Sequence, residues 1–136
     1  MNVAFFLTPK SEVVYLNESW SMRQVLEKMK NYRYATVPII NDQGKYIGTI
    51  SEGDLLWQMH ELIGESIDIY SQIKLKNIPL YNSYKPIHVR GEIEGLIDLT
   101  IRQNFVPIID DLEHFIGIVT RKDIIHHLNS KLKTTK

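Results

Sequence analysis

The chain has 136 residues, 43% of them hydrophobic and 24% charged, with 16 basic and 16 acidic side chains and a formal net charge of zero. That balance describes a globular protein of one ordinary domain or two small halves sharing a core. It excludes a broad nucleic-acid or anionic-membrane footprint, and the absence of cysteine excludes disulfides, a thiolate nucleophile and a Cys zinc site.

In chain order, the apolar run Val3–Leu7 is too short for a signal peptide, and nothing approaches the length that spans a bilayer. A cytoplasmic protein is expected. Val13–Leu16 reads as a short strand. Asn17, Ser19 or Ser21 then caps a helix with Met22, Val25, Leu26 and Met29 on one buried face. Thr36–Ile40 is an apolar strand, and NDQGK (residues 41–45) is a hairpin turn in which Gly44 takes positive φ. Tyr46–Ser51 returns as the partner strand. Glu52–Leu62 is a helix with Leu55, Leu56 and Met59 on its apolar face. Residues 63–83 form a connector, helical and then extended around Asn77–Tyr84. The pattern then recurs: strand Pro86–Val89, helix Glu92–Arg102, strands Phe105–Ile109 and Phe115–Thr120, helix Arg121–Leu132, and a Lys-rich tail from Lys131 expected to fray.

Residues 37–56 (VPIINDQGKYIGTISEGDLL) and 106–125 (VPIIDDLEHFIGIVTRKDII) align without a gap at an offset of 69, with eight of 20 pairs identical. This is internal duplication. Each copy carries G-x-x-[ST]-x-x-D: Gly48, Ser51 and Asp54, then Gly117, Thr120 and Asp123. An apolar skeleton repeated twice explains a core, whereas a repeated hydroxyl and carboxylate point to a further role.

A strand–helix–strand–strand–helix unit with h-P-h-h-[DN] followed by G-x-h-[ST]-x-x-D, occurring twice, resembles the cystathionine-β-synthase (CBS) domain. Two in tandem resemble the CBS pair called a Bateman module. The resemblance covers roughly residues 11–62 and 84–130. It implies an α+β fold of two β-α-β-β-α repeats about a pseudo-twofold axis, divided as 1–62 (N-terminal segment and first repeat), 63–83 (connector) and 84–136 (second repeat and tail). It also implies a stand-alone regulatory pair and no enzyme. Its clefts between repeats would bind an adenosine-containing ligand (AMP, ADP, ATP or cyclic di-AMP) and signal to a regulated partner protein. The family commonly forms homodimers through its helices, which here present Leu56, Trp57 and Met59 or Ile124, Ile125 and Leu128. No cofactor, metal, nucleic acid or membrane partner is expected.

The residues suit that ligand. An ionised carboxylate accepts from both hydroxyls of a ribose, the role assigned to Asp54 and Asp123. Ser51 and Thr120, where a strand hands over to a helix, offer a hydroxyl and free N–H groups to phosphate. Residues around the repeated prolines would wall the adenine: Tyr34, Ala35, Thr36 and Pro38 in the first copy, Asn104, Phe105, Val106 and Pro107 in the second. Arg121 and Lys122 follow Thr120, whereas Glu52 and Gly53 follow Ser51, so the second site is expected to hold phosphate more tightly. Lys10, Arg33 and Arg102 are further phosphate candidates. Helix capping competes for both aspartates. A nucleotide-independent interaction or dimerisation module with vestigial clefts is the alternative. A metal site is rejected: adjacent His126 and His127 diverge by about 100° on a helix, and the other three histidines are scattered.

Overall fold

The computed structural model describes residues 1–134. Two units of similar compactness emerge, one made of residues 14–83 and the other of residues 1–13 with the described residues from 84 onward. The first contains β2 (Leu16–Asn17), α1 (Met22–Tyr32), β3 (Thr36–Ile40), β4 (Tyr46–Ser51), α2 (Glu52–Glu61) and α3 (Ile69–Gln72). The second contains β1 (Thr8–Pro9), β5 (Ile87–His88), α4 (Ile93–Thr100), β6 (Phe105–Ile109), β7 (Phe115–Thr120) and α5 (Arg121–Thr134). The strand orders are β2-β3-β4 and β1-β7-β6-β5.

The duplication holds at the level of register. Thr36 faces Ser51 as Phe105 faces Thr120, and both hairpins shift register at the matching step, Ile39/Ile40 and Ile108/Ile109. The turn needs a left-handed residue: Gly44 supplies it at φ 79° in the first copy, Glu113 at φ 66° in the second. This register also corrects the alignment of the candidate walls, because Thr36 matches Phe105 and Tyr34 therefore matches Gln103.

Ser21 is the cap of α1. Its hydroxyl accepts from Gln24 N at 3.2 Å, and Gln24 Oε1 accepts from Ser21 N at 2.9 Å, a capping box. Arg33 ends the helix in the left-handed conformation. Met22, Val25 and Met29 are buried with Leu16, Val37, Ile50 and Leu55. Of the apolar face expected on α2, Leu55 is buried, whereas Leu56 and Met59 are exposed. α5 continues to Thr134, through the tail expected to fray; Lys131 and Lys133 sit at its C-terminal end, where cations oppose the helix dipole.

Segments 1–13 and 63–83 do not pack as their sequence positions suggested. Val3, ahead of the first repeat, is buried among Leu96, Val106, Ile108, Val119 and Ile124 of the second, and its N–H donates to Gly91 O at 3.0 Å. β1 pairs with β7 at Thr8↔Ile118 and Pro9↔Gly117. A Cβ at Gly117 would lie 2.2 Å from Thr8 O, so this close approach requires glycine. The connector, conversely, packs into the first unit. Leu75 and Ile78 enter its core, and Leu80 Cδ1 lies 3.0 Å from where a Cβ on Gly48 would sit. Each repeat is thus completed by the segment that precedes the other.

Candidate functional site

Both helix starts that carry the repeated hydroxyl and carboxylate are built alike. The first helical N–H is given to the residue before the preceding apolar strand: Glu52 N to Ala35 O and Arg121 N to Asn104 O, each at 2.9 Å. Ser51 Oγ accepts from Asp54 N, and Thr120 Oγ1 from Asp123 N, both at 3.1 Å. The capping expected of the hydroxyls is present in both copies.

The carboxylates differ. Asp54 is 2% exposed. One of its oxygens accepts from Ser51 N at 2.8 Å and the other from Tyr81 N at 3.0 Å. It closes a capping box and ties the connector to α2 at once, with both oxygens engaged. Asp123 is half-buried, and no described residue donates to its carboxylate. The hydroxyl half of the box is kept there and the carboxylate half is open.

Around Asp123 the second unit gathers several groups that can meet an anion or a base. Lys122 is exposed. Arg121 is fixed rather than free, since its Nε donates to Thr100 O at the end of α4 at 2.7 Å; the terminal nitrogens of a guanidinium thus held keep further donors. Asn104 is exposed and its Oδ1 accepts from the Tyr84 hydroxyl. The Tyr84 ring lies 5.0 Å from that of Phe105. Buried Gln103 fixes this corner: its Oε1 accepts from Lys85 N at 2.8 Å, and its Nε2 donates to Lys85 O at 3.1 Å and Phe105 O at 3.2 Å. Tyr84 and Gln103 were not foreseen. Their one signal is polarity beside apolar strands, which periodicity does not read.

Other expected residues fall elsewhere. The Val106 side chain belongs to the core, and Phe105, Pro107 and Pro38 are buried, so a base could meet these strands mainly through backbone. Tyr34 is exposed and stacks on Tyr32, ring centres 6.1 Å apart. With Arg33 it lines an open groove of about 730 Å³ between α1 and α2, floored by Leu26, Met29 and Leu55. Ala35 is exposed and Thr36 half-buried. Lys10 begins the turn that follows β1, and Arg102 is exposed beyond α4.

The CBS domain model matches residues 6–61 and 82–130. The chain belongs to the CBS domain family, with two CBS domains. It is similar to an uncharacterized protein of Methanopyrus kandleri, 28% identical over 102 residues that make up 75% of this chain and 50% of that protein. The chain therefore spans half the length of that curated relative. Among solved structures, CbpB in complex with c-di-AMP is matched over 99% of this chain and 89% of that one, with TM-score 0.86 and 24% identity. The Listeria monocytogenes CbpB protein, also in complex with c-di-AMP, is matched over 97% and 98%, with TM-score 0.81 and 19% identity. CBSX2 in complex with AMP is matched over 99% and 98%, with TM-score 0.72 and 22% identity. At these identities the likeness establishes the α+β CBS-pair fold. Among the described residues no helix is long and apolar enough to cross a membrane.

Proposed function

We propose that this CBS pair is a sensor that binds an adenosine-containing ligand (AMP, ADP, ATP or cyclic di-AMP) at its second repeat and regulates a partner protein through the resulting change in conformation. The observation that carries the reading is the open carboxylate of Asp123, beside the Thr120 hydroxyl, Arg121 and Lys122, where its counterpart Asp54 is closed by two N–H donors. Asp123 would accept from a ribose hydroxyl. Thr120, Lys122 and the free terminal nitrogens of Arg121 would meet phosphate, and Tyr84, Asn104 and Phe105 would border the base.

Fold neighbours solved with AMP and with c-di-AMP support an adenosine-containing ligand. In the first repeat, a ligand using Ser51 and Asp54 would have to displace the Tyr81 N–H, so that site would be weaker or empty. The reading is one of binding, with regulation arising from different ligand affinities of two states. Calorimetric titration with AMP, ADP, ATP and cyclic di-AMP tests it. Micromolar or tighter binding of one of them is expected, and silence from all four would favour a nucleotide-independent interaction module.

A further inference from the structure

The open groove of the first unit, about 730 Å³ in volume, changes character along its length. The Glu52 N–Ala35 O bond sets the start of α2 against the end of α1. Its polar lining, Lys30, Arg33, Tyr34 and Glu52, stands within a helical turn of that junction. Leu26, Met29, Leu55, Leu56 and Met59 continue it as an apolar trough. A cavity of this size, mostly apolar and with its few polar groups gathered in one place, has the make-up of a small-molecule site.

The junction is net positive. Two cations stand there against the one carboxylate of Glu52, and α2 adds the positive end of its dipole. Among the described residues neither Lys30 nor Arg33 is held in an ion pair. Arg33 takes the left-handed conformation, φ 54° and ψ 36°, where glycine would be unstrained. The chain thus keeps a guanidinium at the mouth of the groove against a backbone cost. From Leu26 to Arg33 α1 advances about 10 Å, the reach of a medium-chain acyl group. Burial against a second apolar surface would call for no such charge at one end.

We infer that this groove binds a medium-chain carboxylate, its head group on Arg33 and Lys30 and its alkyl chain along Leu26, Leu56 and Met59. Charge-assisted hydrogen bonds hold the head group, and removal of the chain from water supplies the rest. This goes beyond the adenosine reading and does not depend on it, because no residue assigned to that ligand at the second repeat belongs to the groove. Arg33 and Tyr34 thereby serve a ligand other than the nucleotide.

Titration of the full chain with octanoate, followed by NMR of methyl-labelled methionines, tests this. Met29 and Met59 line the groove, whereas Met22 is fully buried in the core and serves as the control. Saturable, submillimolar shifts of Met29 and Met59 are expected, with Met22 unmoved. Octanol, which keeps the chain and lacks the charge, should bind at least tenfold more weakly. Arg33→Gly removes the cation and relieves the backbone. It should melt no lower than the parent and bind octanoate at least tenfold more weakly, with its affinity for octanol kept. No shift of Met29 and Met59 at millimolar octanoate overturns the inference. Equal affinities for octanoate and octanol overturn it too, as does an Arg33→Gly protein that binds octanoate like the parent. Methyls that ignore octanoate and shift with protein concentration instead would assign the groove to a second copy of the chain.

Discussion

A carboxylate whose two oxygens already accept backbone N–H groups has little to offer a ligand, and removing it leaves two part-buried donors without their partner. Asp54 is in that position and Asp123 is not. Asp54→Ala is therefore expected to lower stability by about 2–3 kcal/mol, the sum of a lost cap and an unsatisfied donor, read by urea denaturation. Asp123→Ala should change stability by no more than about 0.5 kcal/mol while weakening an adenosine ligand by about 1.5–3 kcal/mol. Equal stability losses would mean the two carboxylates are both structural. Sequence alone could not separate them, because G-x-x-[ST]-x-x-D is the same in both. The difference arises from Tyr81, 27 residues from Asp54, whose backbone N–H carries no side-chain signature.

The hairpin and helix ends show how far local chemistry reaches. The boundaries of β3, β4, β6 and β7 follow directly from apolar runs bounded by turn residues. β2 and β5 are two residues each, fixed by their partners β3 and β6 rather than by composition. The apolar face expected on α2 from Leu55, Leu56 and Met59 divides, with Leu55 buried and the other two exposed, because a surface helix buries only one stripe. At Glu113 the turn imposes a left-handed conformation that glycine meets in the first copy. Glu113→Gly should raise stability by about 0.5–1 kcal/mol, visible as a higher denaturation midpoint; no gain would mean that side-chain contacts of Glu113 offset the backbone cost. Beside this turn, the Arg90 guanidinium and the His88 ring hold the Asp111 carboxyl below its ordinary value. A carboxylate depressed in the folded state stabilises above its unfolded pKa and loses that contribution as pH falls through the folded value. Asp111→Asn should accordingly flatten the acid limb of stability against pH below about 4, modestly because the group is exposed. An unchanged limb would remove this ion pair from acid stability.

At the scale of the whole molecule, duplication accounts for two similar units, and the exchanged segments account for their completeness. The repeat itself was legible from the eight identities in 20 pairs, but the packing of segments 1–13 and 63–83 was not, since non-local pairing leaves no period in the sequence. Gly117 marks the junction most sharply. Gly117→Ala should dislodge β1 and cost about 1–3 kcal/mol, the usual range for overpacking. Gly48→Ala, which meets only the flexible end of Leu80, should cost less; comparable losses in parallel melts would contradict the asymmetry. The central claim is that the second repeat, through Asp123, holds the ligand. Its most direct test is calorimetric titration of AMP and cyclic di-AMP into the parent, Asp54→Asn and Asp123→Asn proteins, each confirmed folded at the working temperature. The account predicts binding by the parent and by Asp54→Asn, and at least tenfold weaker binding by Asp123→Asn. Binding lost in Asp54→Asn and kept in Asp123→Asn would contradict it.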